Sequence, residues 1–166
     1  MEEILDLVDE FDNVIDSMSR TEVYEKKLSN FRVVNAFLKN SKGEVWIPLR
    51  TAHKRLFPLH LDVSIAGHVS SGESYLEGFS RELAEELNID LVKVVYKEVG
   101  YFNPINHNVS AFMKVYEIQT EIPPDFNLDD FIEGSWMMPE KVIELLDAGV
   151  KGKGDLPKLL NLLYLY

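Results

Sequence analysis

The sequence contains no cysteine. Disulfides, zinc sites built on thiolates and cysteine nucleophiles are therefore excluded. It also lacks any apolar run near the roughly 20 residues that a membrane span requires, so no membrane partner is expected. Positive charge is scarce: Lys plus Arg number 17 against 28 Asp plus Glu, a formal charge of −11. Such a surface repels phosphate backbones, which argues against generic binding to duplex nucleic acid. A small phosphorylated ligand remains compatible, because a bound divalent cation supplies positive charge locally. The opening "MEEILDLVDE" has neither a basic n-region nor a long apolar segment. It does not read as a signal peptide, and a cytoplasmic location is expected.

What is present is globular composition, with 46% hydrophobic and 27% charged residues. No repeat, low-complexity tract or linker interrupts the chain, so residues 1–166 are expected to form one domain with a real core. "ILDLVDEFDNVIDSMS" reads as a hairpin around Asp12-Asn13, followed by a short helical stretch at Glu22–Lys27. "FRVVNAFLKN" and "EVWIPLR" read as strands flanking the turn "SKG", and "LDVSIAG" as a further strand. "LVKVVYKEVGYF" and "VSAFMKVYEIQT" give two more strands around a loop "NPINHN". "EIPPDFNLDDFIEG" reads as a long polar loop and "SWMM" as a short strand. Pro139 opens a helix at its first position, and "LPKLLNLLYLY" is a last apolar helix. The order of strands, helix, strands, helix predicts an α+β or mixed α/β fold.

The most informative stretch is "GHVSSGESYLEGFSRELAEELNID". Ser74-Tyr-Leu-Glu77 is a capping-box pattern and predicts a helix from Ser74 to Leu87. Leu76, Phe79, Leu83 and Leu87 fall on one stripe at 100° per residue and are expected to face the core. Glu82, Glu85 and Glu86 lie together on a neighbouring face, where like charges repel. Gly78, one turn before Glu82, suggests a close approach, since glycine inside a helix costs about 1 kcal/mol against alanine. The acids alone fit a solvated face equally well. A divalent-cation site is the sharper reading, because carboxylates one turn apart can converge on one hard ion.

Wider spacing favours the sharper reading. Gly67, Glu73, Arg81-Glu82, Leu83, Glu85-Glu86 and Ile89 fit the pattern G-x5-E-x7-R-E-U-x-E-E-x-G-U, with U aliphatic. The sequence thus resembles the Nudix hydrolases across the box from Gly67 to Ile89, and its strand order resembles their α/β/α sandwich with a mixed central sheet. The N-terminal hairpin and "VVNAFLKNSKGEVWIPLRTAHKRLFPLHLDVSIAGHV" resemble the branch related to isopentenyl-diphosphate isomerase. One position departs: Asn88 stands where the family has glycine. Asparagine is the next-best residue for a left-handed helix end, so no chemistry is removed.

The resemblance implies hydrolysis of a diphosphate linkage in a small nucleotide-type substrate, with Mg2+ or Mn2+ as cofactor. Glu82, Glu85 and Glu86, with the Gly67 carbonyl, are the implied metal ligands. Glu82 is the first candidate for general base, with Glu85 and Arg81 as further catalytic groups. Glu73 is the acid that pairs with Arg81 and braces the box. Some relatives use a downstream acid, for which Asp129, Asp130 and Glu133 are candidates. Arg50 and Lys54 are candidate phosphate contacts, and Tyr101 and Phe102 candidate stacking groups. Trp46 and Trp136 are assigned to packing. Isomerisation without hydrolysis is disfavoured, because its cysteine is missing and "NPINHN" holds no acid. A non-catalytic nucleotide-binding module of the same fold is the alternative. The apolar C-terminal helix is expected to close the core, with a homodimer face as the other reading.

Overall fold

The structure, a computed structural model, describes residues 1–165. A two-stranded ribbon comes first, β1 (Ile4–Val8) and β2 (Val14–Ser19), turning at Asp12 with φ 64°. Helix α1 (Arg20–Glu25) follows, capped by the Ser19 hydroxyl. The main sheet contains β3 (Arg32–Lys39), β4 (Val45–Arg50), β5 (Ile65–His68), β6 (Tyr96–Phe102), β7 (Phe112–Gln119) and β8 (Phe131–Met137). The helices are α2 (Tyr75–Leu87), the four-residue α3 (Pro104–His107), α4 (Pro139–Asp147) and α5 (Asp155–Tyr164). No helix among the described residues is long and apolar enough to cross a membrane.

The sheet order is β6-β7-β3-β4-β8, with β5 also paired to β3. β3 runs parallel to β7 from Arg32↔Phe112 to Lys39↔Gln119, which makes the sheet mixed. On the opposite edge its first half pairs antiparallel with β5, and Lys39 pairs with Val45 of β4. β4 and β5 thus share one edge of β3 and diverge from it.

Alternation along β3 builds two cores. Val34, Ala36 and Leu38 pack with Phe79, Leu83 and Leu87 of α2, while Phe37 packs with Val142 of α4 and Leu159 and Leu160 of α5. Successive strand side chains point to opposite faces, so one strand serves both layers and the sandwich is α/β/α. Each buried Leu or Phe stabilises by about 2 kcal/mol. α5 buries Leu156, Leu159 and Leu160 and so closes the second core. A third, smaller cluster of Leu5, Leu7, Val23, Phe31 and Ala111 docks the N-terminal ribbon and α1.

Several sequence expectations are corrected. Leu76 is 43% exposed, and Tyr75 and Gly78 are buried in its place. "LVKVV" opens as a 3-10 turn at Leu91–Lys93. "NPINHN" contains α3, with Asn103 as its cap. The long polar loop ends early: Ile132, Glu133 and Gly134 belong to β8, paired antiparallel with β4. "LDVSIAG" is strand only from Ile65. Trp46 is 1% exposed, and Trp136 packs against the same core.

Candidate active site

A cavity of about 880 Å³ opens where β4 and β5 diverge, bounded by α2, α1 and the segment 54–57. Gly67, Glu82, Glu85, Glu86 and Asp130 form its acidic wall. Arg20, Lys27, Arg50, Lys54, Arg55, Arg81 and Lys153 also line it, so the chain's scarce positive charge is concentrated here.

The acidic wall is set by α2. Its start carries both halves of the capping box: the Ser74 hydroxyl accepts from the Glu77 N–H, and the Glu77 carboxylate accepts from the Ser74 N–H. Its end has Asn88 at φ 54°, the left-handed conformation expected, and the Asn88 Nδ2 donates to the Asp125 carbonyl at 2.7 Å. Glu82 then faces the cavity against Gly67, with its side chain 12% exposed. Burial, opposed by the Arg81 hydrogen bond and charge, pushes its carboxyl up to about 7. Glu86 is pushed well above the carboxylate range by burial first, then by Glu82, Asp62 and Asp130. Glu85 is more open, at 58%.

Arg81 is the hub of the wall. Its Nε and Nη2 donate to Glu73 at 2.7 and 3.0 Å, and Nη2 also donates to the His68 carbonyl at 2.9 Å. Nη1 donates to Glu82 at 2.7 Å and to Glu85 at 3.4 Å. Glu73 in turn accepts from the Ser70 N–H at 2.9 Å, and the Arg81 hydrogen bond holds its carboxyl below the usual range. The pair therefore ties the loop before α2 to the helix. With its donors so engaged, Arg81 holds the acids in place instead of projecting toward a ligand. Gly78 explains itself similarly: a side-chain carbon there would lie 3.3 Å from Val69 and 3.4 Å from Glu73.

Convergence of the acids on one point is not what the structure shows. Among the described residues, no three carboxylates or imidazoles group closely enough to hold an ion. The reason is visible: Arg81 draws Glu82 and Glu85 toward itself. The donor set still suits a hard cation in its chemistry, being carboxylates and a carbonyl on one wall with mutual repulsion unrelieved at Glu86.

The other expected residues divide. Arg50 lines the cavity, yet its donors go to Asp62 at 2.7 Å and to the carbonyls of Phe57 and Leu56 at 3.1 and 2.9 Å. It shapes the segment 54–57 and has little left for phosphate. Lys54 lines the cavity in an ion pair with Asp130. Tyr101 lies away from the cavity, donating to Asp12 at 3.1 Å beside Tyr75, which donates to the same oxygen at 2.7 Å. Phe102 packs on the second core and on His107. Glu133 is exposed on β8, and neither it nor Asp129 lines the cavity.

Sequence reasoning missed Asp62, Lys153 and the whole contribution of residues 20–29. Asp62 is 1% exposed, pairs with Arg50 and sits 3.9 Å from Lys153. A lone acid inside the apolar run "LDVSIAG" was its available signal. The α1 contribution had none. Tyr24 bonds through its hydroxyl to the His68 Nε2 at 2.8 Å, and Phe31 stacks on the His68 ring. Burial, with Arg20, Lys153 and Arg81 nearby, lowers His68 to about 3, so its ring is neutral.

A mixed-sheet sandwich carrying an arginine-bound acid cluster on one helix beside a large cavity defines the class. Residues 29–160 match the Nudix domain family. The chain belongs to that family. It is 54% identical over 162 residues to an uncharacterized Nudix hydrolase of Nostoc, covering 98% of this chain and 96% of that one. It is 43% identical over 163 residues to a Nudix hydrolase of Deinococcus radiodurans, covering 98% and 95%. A crystal structure of DR0079 from D. radiodurans superposes with a TM-score of 0.93, covering 98% of this chain and 99% of that one at 43% identity. The NUDIX domain of Shewanella oneidensis NrtR, solved with ADP ribose, shares the fold at a TM-score of 0.57 and 15% identity, covering 87% and 96%.

Proposed function

We propose that this Nudix hydrolase cleaves a diphosphate linkage in a small nucleotide-type substrate by attack of water on phosphorus, with Mg2+ or Mn2+ as cofactor. The observation that carries this reading is the burial of Glu82 and Glu86 as mutually repelling carboxylates on a cavity wall. Such an arrangement costs stability unless a cation relieves it. Glu82, Glu85, Glu86 and the Gly67 carbonyl would hold that ion, with Asp130 near Glu86 on the same wall. When bound, it supplies Lewis-acid polarisation of the phosphoryl oxygens and neutralises charge on the leaving phosphate. Glu82, a shielded acid that faces the cavity against Gly67, takes the proton from the attacking water. Of the downstream acids Asp129, Asp130 and Glu133, Asp130 lines the cavity, which supports it as the alternative base. Lys153, Lys54 and Arg55 bind and orient the phosphates, Lys54 once its partner Asp130 turns to the ion. Arg81 and Glu73 hold the loop and helix in register.

The alternative is a non-catalytic binding module, in which Arg81 alone would neutralise Glu82 and Glu85. The isomerase reading gains nothing, since Asn103–Asn108 lie outside the cavity and hold no acid. Turnover of a nucleoside diphosphate panel with Mg2+ or Mn2+, with and without chelator, is the test. Hydrolysis lost on chelation supports the hydrolase. Binding without hydrolysis of any diphosphate supports the module.

A further inference from the structure

The matched family region begins at residue 29, yet residues before it form one side of the cavity. Arg20, Tyr24, Lys27 and Leu28 all reach it from α1 and the turn that follows. This side is not a loose appendage. Val23 is fully buried in the third core cluster. Asp6 of β1 accepts from the Ser71 hydroxyl at 2.6 Å and from the Gly72 N–H at 3.0 Å, within the loop that leads into α2. Asp12 accepts from Arg32 at 2.7 Å and from Tyr75 of α2 itself. The ribbon and α1 are thus clamped to the same loop and helix that carry the acids.

Tyr24 is the feature this clamping presents. Its ring is 40% exposed on the cavity side, and its hydroxyl is fixed to His68 at 2.8 Å. The rings of Phe31 and His68 lie 5.8 Å from it, and the Arg20 guanidinium sits over it at 5.9 Å. His68 directly follows Gly67, so this aromatic group begins one residue from the acidic wall. Leu28, Val33 and Ala66 give that part of the cavity an apolar lining. A partly exposed ring, an apolar floor and two nearby donors, Lys27 and Arg20, the latter 3.5 Å from Glu3, match a heteroaromatic base with its ribose. It does not match the diphosphate, which the cations nearer the acids serve.

The geometry points to Tyr24, flanked by Arg20 and Lys27, as the wall that binds the nucleoside part of the substrate. This rests on the hydrolase reading for where the diphosphate lies. It makes α1, outside the family region, a specificity-determining element.

Calorimetry in magnesium with two non-hydrolysable ligands tests it: a methylene-bridged nucleoside diphosphate, and methylenediphosphonate, the same group without a nucleoside. Wild-type protein should bind the nucleoside analogue about tenfold tighter or more, the scale of one base stacked on an aromatic ring. Tyr24→Ala should weaken the nucleoside analogue at least about fivefold more than the fragment, whereas Tyr24→Phe, which keeps the ring, should preserve most of the preference. Lys27→Ala, at an exposed position, should reduce it by about threefold and serves if Tyr24→Ala does not fold. Equal affinity of wild-type protein for both ligands overturns the proposal, and so does a loss that is the same for both in every variant. A nucleoside preference that persists while no diphosphate is hydrolysed supports the wall and overturns only the hydrolase reading.

Discussion

Gly67 and Glu82 touch: a side-chain carbon on Gly67 would lie 2.1 Å from the Glu82 Cδ and 2.3 Å from its Oε1. The glycine is required because the carboxylate occupies the space its Cβ would fill. Gly67→Ala therefore displaces Glu82 and the strand end together. Turnover is expected to fall roughly a hundredfold, as when a group that stabilises the transition state is misplaced. Overpacking should lower stability by about 1–3 kcal/mol. Steady-state rates with a thermal melt check both. Wild-type turnover in Gly67→Ala would remove Glu82 from the chemistry.

Arg50 and Lys54 should separate cleanly. Arg50 and Asp62 are a shielded pair, with side chains 12% and 2% exposed. Breaking such a pair leaves the buried Asp62 carboxylate with Lys153 at 3.9 Å as its remaining cation, so Arg50→Ala is expected to lower stability by about 2–3 kcal/mol. Lys54 and Asp130 lie on the cavity surface, where ion pairs contribute about 0–1 kcal/mol. Lys54→Ala should leave melting nearly unchanged and raise KM for a diphosphate substrate. Urea unfolding of both variants beside kinetics decides, and a large stability loss in Lys54→Ala would contradict the assignment.

Asn88 holds a left-handed position and also anchors Asp125. Asn88→Gly relieves backbone strain but loses that hydrogen bond, so the net change should stay within about 1 kcal/mol. Asn88→Ala loses the bond and keeps the strain, and should cost about 1–2 kcal/mol. Activity should follow neither strongly. A marked loss of turnover in Asn88→Gly would give this residue a role beyond the helix end.

Much of this fold is legible because local chemistry decides it. The capping box fixes the start of α2, and the periodicity of Phe79, Leu83 and Leu87 fixes its buried face. The hairpin, β3, β4 and β7 follow from alternating patterns and turn residues. Leu76 misled for a physical reason: the N-terminal ribbon covers the start of α2 from the other side, so Tyr75, bonded to Asp12, takes the buried position. That contact joins residues 63 apart and leaves no trace in periodicity. The first half of β8, before the expected strand "SWMM", was hidden because Gly134 interrupts its apolar run; the Trp46 ring lies where a Gly134 side chain would be. The acids of the site were readable from spacing. Asp62, Lys153 and α1 were not, since only tertiary packing brings them to the cavity.

The acids themselves give the sharpest test. Glu82 is raised to about 7 and Glu86 further in the same direction, both chiefly by burial, from an ordinary value of 4.5. Folded protein without metal thus binds more protons than unfolded protein between these values. Its stability should be highest below about 4.5 for these two groups and fall as pH rises through about 7. Glu86→Gln removes one of the two penalties, so its melting temperature near pH 8 should equal or exceed that of the wild type, and its decline with pH should flatten. Magnesium binds the charged form and should restore wild-type stability at that pH, but restore little in Glu86→Gln. Turnover in Glu85→Gln and Glu86→Gln should fall roughly a hundredfold. Glu73 carries the opposite sign. Arg81 lowers it, so its contribution is present above the unfolded value and lost as pH falls through the folded one. Glu73→Gln should therefore lower melting at neutral pH and reduce activity only through the loosened loop. Melts from pH 5 to 8 with and without magnesium, beside turnover, separate these behaviours. If Glu86→Gln keeps wild-type turnover and the same magnesium-induced shift, Glu86 holds no ion and the metal-dependent mechanism as assigned fails.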